Sequence, residues 1–247
     1  PQETQAATAT PLAPPLIAPP AEPDVAAPPI AATPVEPEPM PEPARTVIDA
    51  APAFSALITS ESEAWRELGP LWGQSLTDGE ACANAQQFQL QCYRTDRMTI
   101  NGLRQLNRPG ILTLRADGRG VGRVLVTGMT VDSVMLQSGE QRWQLPLTAL
   151  ADVWRGEFAT LWRTPPGQTG RLVDGRSGPA ALWLGERIAS LQAAGNVPPS
   201  ASSLDARVKA FQRSQGVEAA GVAGPITFMQ VNLASGVDEP RLVAPKP

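Results

Sequence analysis

Histidine is missing from all 247 residues, and lysine occurs twice, as Lys209 and Lys246. The first absence removes Ser-His-Asp and Cys-His catalysis, His-containing zinc sites and imidazole proton shuttles. The second leaves no Gly-Lys-Ser/Thr phosphate loop, because neither lysine follows glycine. Cys82 and Cys92 are the only cysteines, too few for a four-ligand zinc site but enough for one bond in an oxidising compartment. No catalytic residues, metal or cofactor are therefore expected. No apolar run approaches the roughly 18 to 20 residues that cross a bilayer, and no charged segment followed by an apolar one marks a secretory leader. The chain opens on Pro1, so it is expected to be a fragment of a longer protein, with any membrane anchor upstream.

Charge and proline are unevenly spread. Residues 1–52 hold 15 of the 27 prolines, no glycine, seven acids and the single cation Arg45, a balance of 1 − 7 = −6. Subtracting them from 20 basic and 24 acidic residues leaves 19 and 17. The near-neutral remainder lacks the dense basic stripe that phosphate backbones require, which excludes a nucleic-acid partner. Proline blocks helix and sheet hydrogen bonding and the acids repel along the chain, so residues 1–53 are predicted to be an extended polyproline-II linker. At about 3.1 Å per residue its reach is roughly 150 Å.

Residues 54–165 carry five of the six tryptophans, enough apolar surface for a core. Helices are predicted over 57–68 and 82–88, the second reversing into an extended 90–93. Strands are predicted over 111–115, 123–127, 134–137 and 141–145, separated by glycine turns at Asp117-Gly118 and Ser138-Gly139. That order, helices and then an antiparallel meander, is α+β. A hinge over 166–178 leads to a small three-helix domain over 179–237, and 238–247 is a tail. Pro179 sits at a helix start, Leu184, Ile188 and Leu191 recur at helical spacing, and Ser202-Ser203-Leu204-Asp205 has a capping-box pattern. Gly216 ends the second helix and Gly224-Pro225 opens a third. The polar hinge is expected to leave this domain independent of the central one.

The string Arg207-Val208-Lys209-Ala210-Phe211-Gln212-Arg213-Ser214-Gln215-Gly216-Val217, followed by Gly221, Gly224 and Thr227, resembles the peptidoglycan-binding domain of bacterial cell-wall proteins. That family's pattern is V-x-x-F-Q-x-x-x-G-L, then D-G-x-x-G-x-x-T; Val217 and Ala220 depart from it. Phe211, the glycines and Thr227 read as architecture. Trp183, Arg207, Gln212 and Gln215 are the expected peptidoglycan contacts, because wall peptide and sugar present carboxylates, amides and apolar ring faces.

The central segment resembles the papain-like peptidases that process bacteriocin leaders, with Ala81-Cys82-Ala83-Asn84-Ala85 at the nucleophile, Gly122 to Gly128 at the histidine strand and Trp154-Arg155-Gly156-Glu157-Phe158 at the last element. Gly122 stands where the histidine belongs, and the aspartate position falls near Gln137. A thiolate needs a base or cation to activate it, so the resemblance implies a degenerate, inactive peptidase. A continuous helix would hold Cys82 and Cys92 roughly 15 Å apart, whereas a reversal near Phe88 lets them pair. A disulfide is expected, with two free buried thiols as the alternative.

Linker, degenerate papain-like domain and peptidoglycan-binding domain together resemble the periplasmic part of general secretion pathway protein A, the ExeA-like assembly ATPase of type II secretion. The resemblance covers residues 54–235. It implies a periplasmic fragment of a single-pass inner-membrane protein that anchors the assembly complex to the wall, works with a membrane partner resembling general secretion pathway protein B, and helps to assemble the secretin. The central domain is expected to bind a protein partner or to form a homo-oligomer. Alternatives are a cell-wall or peptide hydrolase, or a wall-binding subunit of another envelope machine.

Overall fold

A computed structural model describes residues 46–47, 52–76, 81–116, 120–168 and 175–243. Most of the predicted linker and the Asp117-Gly118 turn lie outside these ranges. Residues 43–247 form one compact unit.

The sheet comprises β1 (Thr46–Val47), β2 (Leu90–Thr95), β3 (Gly110–Ala116), β4 (Gly120–Met129), β5 (Ser133–Ser138), β6 (Gln141–Pro146) and β7 (Trp154–Arg163), in the order β1-β6-β5-β4-β3-β7-β2. Six strands are antiparallel; β1 lies parallel to β6. β3 to β6 form the expected meander. The chain then crosses through α4 (Leu147–Val153) and inserts β7 between β3 and β2. α4 and α3 (Ile100–Leu106) were not foreseen, because each is only two turns long and their periodicity is lost among strand-forming neighbours.

Side chains alternate across the sheet, and each face has its own core. α1 (Glu61–Leu68) and α2 (Ala81–Gln86) cover one, where Trp65, Leu68, Ile111, Leu125 and Leu161 pack. α1 is shorter than the predicted 57–68 because Ile58 bridges to Arg123 of β4, and Ser60 then caps the helix by accepting the Glu63 N–H at 3.3 Å. The other face, with Leu112, Val124, Val126, Leu136, Phe158 and Trp162, is continuous with the core of three C-terminal helices. These are α5 (Gly178–Ala193), α6 (Leu204–Ser214) and α7 (Pro225–Ala234).

Pro179 and Pro225 occupy first helical turns as expected. The capping box is shifted by one residue. Ser203 is the cap, accepting the Ala206 N–H at 3.3 Å, so Asp205 sits too early to reach back and instead pairs with Lys209 at 3.0 Å.

The loose coupling expected across the hinge is not what the packing shows. Phe228 of α7 stacks on Trp162 of β7 with ring centroids 5.8 Å apart, and Gly175 within the predicted hinge donates its N–H to the Ala223 carbonyl at 3.1 Å. Arg108 and Glu239, both fully buried, pair at 2.9 Å. Arg108 also donates to the carbonyls of Leu106, Leu161 and Met229. Glu239 accepts the Arg163 N–H at 2.8 Å and the Asn232 amide at 2.9 Å. Burial pulls the Arg108 guanidinium below the ordinary arginine range and Glu239 pulls it back. The cluster ties the sheet, α7 and the following tail into one polar knot, in which the Glu239 carboxylate faces two guanidinium groups, Arg108 at 2.9 Å and Arg241 at 3.6 Å, and offsets the cost of burying Arg108.

Candidate functional site

Two places could host chemistry: the α2 corner, where the peptidase resemblance puts a nucleophile, and the junction of the sheet with the C-terminal helices.

At the corner, Cys82 is bonded to Cys92, with Cα atoms 5.5 Å apart. The expected reversal between α2 and β2 occurs at Gln89, whose φ of 58° is left-handed. A sulfur in a disulfide is not a thiolate. The histidine position is closed too. Gly122 lies on the same face of β4 as Val124 and Val126, whereas the cysteines pack with the opposite core. A Cβ at Gly122 would meet the Leu57 side chain at 2.6 Å. The W-x-G-x-F element is structural: Trp154 Nε1 donates to the Glu157 carbonyl at 2.9 Å, and Phe158 is core. Gly156 has φ +101°, and any Cβ there would strike the backbone of Asp96 and Met98. Beside the disulfide, Glu61 accepts hydrogen bonds from Trp65 Nε1 at 3.1 Å and from Arg94 at 2.6 and 3.0 Å. Those bonds, from Trp65 and then Arg94, hold its carboxyl below the usual glutamate value.

In the helical part, the motif residues serve the turn between α6 and α7. Gln212 is buried, donating to the Val222 carbonyl at 3.0 Å and to Thr227 Oγ1 at 3.2 Å, while its own oxygen accepts the Gly221 N–H at 2.9 Å. Gln212 was expected to touch the wall; the structure instead uses it to fold the loop. Arg207 reaches the Gly185 carbonyl of α5 at 3.4 Å, and Gln215 lies at the far end of α6, donating to Ser214 Oγ at 3.3 Å. Trp183 sits elsewhere, half-buried and stacked on Phe228 at 6.2 Å. Each of the four expected contacts thus has its own partner within the fold.

Trp183 instead lines a cavity of about 440 Å³ together with Arg187, Asn232, Arg163, Thr164 and Gln89. Both halves of the chain build it. Thr164 donates both its backbone N–H, at 2.8 Å, and its hydroxyl, at 3.2 Å, to the Gln89 carbonyl, which helps to hold that left-handed residue at the rim. Arg187 lies 5.7 Å from the Trp183 ring centroid.

Residues 56–164 match the family described as "GspA, peptidase C39-like domain". This match covers less than half of the chain. Over 182 residues the chain is 28% identical to General secretion pathway protein A of Aeromonas hydrophila, covering 72% of this chain and 33% of that protein. It is 26% identical over 192 residues to Putative general secretion pathway protein A of Escherichia coli strain K12, covering 76% and 39%. The chain thus spans little more than a third of the length of these relatives. A solved periplasmic domain of the EpsAB fusion protein of the Vibrio vulnificus type II secretion system is 27% identical, covering 75% of this chain and 83% of that one, at a TM-score of 0.48. No helix among the described residues is long and apolar enough to cross a membrane.

Sequence reasoning found the disulfide and one residue of the cavity, Trp183. It missed Arg163, Thr164 and Arg187. Arg163 and Thr164 look like the end of a strand and Arg187 like a solvated helical arginine; nothing in their spacing announces that the end of β7 and α5 border one cavity.

Proposed function

We propose that this chain is the non-catalytic, periplasmic, peptidoglycan-binding region of a type II secretion assembly factor. It would anchor an inner-membrane assembly complex to the cell wall, act with a membrane partner of the general secretion pathway protein B kind, and help secretin assembly. The match of residues 56–164 to the GspA peptidase C39-like family carries the secretion assignment, and it is supported by similarity over 182 and 192 residues to two relatives named general secretion pathway protein A. Wall binding is supported by the interlocked Gln212, Gly221 and Thr227, which give the resemblance a folded counterpart. Lack of catalysis is supported by the disulfide on Cys82 and the side-chain-free Gly122 position crowded by Leu57.

Co-sedimentation of the whole chain with insoluble peptidoglycan tests the reading. The chain is expected in the pellet, with no soluble wall fragments released, whether or not reductant is present. A chain that stays in the supernatant overturns the anchor. Turnover that disappears in Cys82→Ala overturns the lack of catalysis.

A further inference from the structure

The cavity at the sheet–helix junction holds two guanidinium groups that the fold does not neutralise. Arg163 gives its Nε to the Asp238 carbonyl at 3.3 Å, and among the described residues neither Arg163 nor Arg187 has a carboxylate partner. No acidic residue lines the cavity. Glu239, which accepts the Arg163 backbone N–H, is buried against Arg108 and spent there. Three other arginines are paired with carboxylates, Arg94 with Glu61, Arg115 with Glu157 and Arg108 with Glu239, whereas Arg104, Arg123, Arg155 and Arg207 donate to backbone carbonyls outside this cavity.

Around these cations the lining is mixed. Trp183, Pro166 and Val237 offer apolar surface, and Asn232 and Gln89 offer amides. Arg187 is parked over the Trp183 ring, which reduces the rotamer freedom lost when an anion arrives. A planar guanidinium suits a carboxylate best, through paired N–H donors. A neutral sugar would leave both charges unused, and a cavity of about 440 Å³ has the size of a small-ligand site.

We propose that this cavity binds the carboxylate-bearing peptide stem of peptidoglycan, with the free carboxylate between Arg163 and Arg187 and small apolar side chains against Trp183 and Val237. The inference rests on the wall-binding reading above. It adds that the C39-like domain supplies half of the site, so the helices alone are not the binding unit.

The test uses the whole chain and four probes: a stem tetrapeptide with a free terminal carboxylate, the same peptide amidated, intact sacculi, and glycan strands stripped of stems. Arg163→Gln and Arg187→Glu are measured beside the wild type, with unfolding midpoints as the control for folding. The free-acid peptide is expected to bind about 10-fold or more tightly than the amidated one, and each variant to erase that difference without moving the midpoint. Pelleting with intact sacculi should fall in parallel, and soluble glycan stripped of stems should not compete the chain off sacculi. Variants that bind like wild type, or stripped glycan that competes as well as the free-acid peptide does, overturn the site while leaving wall binding in place. Peptide binding that depends on the arginines without any pelleting of sacculi keeps the site and overturns the anchor. Binding of neither probe overturns both.

Discussion

The α2 corner and the sheet–helix cavity use their polar groups in opposite ways. At the corner each reactive group is consumed: Cys82 by Cys92, Glu61 by Trp65 and Arg94. At the cavity, Arg163 and Arg187 keep their charge uncompensated among the described residues. The corner carries the recognisable peptidase motif and the cavity carries none. Motif residues here mark what the fold needs to close its turns, and free functional groups mark where it can still bind something.

The comparison depends on the two halves being one body, and the Arg108–Glu239 pair is the place to break it. Arg108→Ala or Glu239→Ala strands an unmatched buried charge and should cost about 3 to 5 kcal/mol. Urea unfolding followed by tryptophan fluorescence should shift as a single transition. Two separate transitions in the wild type would show that the halves are independent after all. The double variant Arg108→Met with Glu239→Leu, which removes both charges, should recover most of the loss.

Next in size is the corner itself. The Cys82–Cys92 bond closes a loop with a sequence separation of 10, and reduction should lower stability by about 2 to 3 kcal/mol on the chain-entropy account. Sacculus pelleting should stay unchanged. Loss of pelleting under conditions where the chain remains folded would mean the corner is part of the binding surface and the contrast is wrong.

Gln212→Leu is nearly isosteric and leaves the Gly221 N–H without its acceptor, an expected cost of about 1 to 3 kcal/mol. A drop in unfolding midpoint, with peptide affinity unchanged at temperatures where the variant is folded, would place Gln212 in the loop's scaffold. A lower affinity with no change in midpoint would return it to the wall contacts.

The smallest effect concerns pH. Hydrogen bonds from Trp65 and Arg94 depress the folded-state pKa of Glu61. Its stabilisation is therefore fully present above the ordinary glutamate value, near 4.5, and is lost as pH falls through the lower folded value. The side chain is half exposed, so the contribution should be about 1 kcal/mol or less. Glu61→Gln should flatten that part of the stability profile below about pH 4.5 while leaving wall binding at neutral pH unaltered.

Much of the fold was legible because it is locally encoded. Alternating apolar residues and glycine turns announced the β3 to β6 meander, proline and serine marked the starts of α5, α6 and α7, and the reversal expected near Phe88 made the disulfide geometrically reasonable. The candidate site was far less legible. Arg163 and Arg187 are separated by a segment that gives no sign of their meeting, and Arg108 and Glu239 are 131 residues apart.

By itself, the sequence determined which residue types are missing: it has no histidine to pair with Cys82 and no Gly-Lys pair for a phosphate loop. It also determined the local elements, since propensity, capping and periodicity act over a few residues. Only the tertiary structure decided that Gly122 and Cys82 lie on opposite faces of the sheet, that Gln212 points inward, and that the C-terminal helices share a core with Trp162. Those outcomes depend on strand order and on burial against distant residues. A long-range packing decision of that kind leaves no periodic trace in the chain.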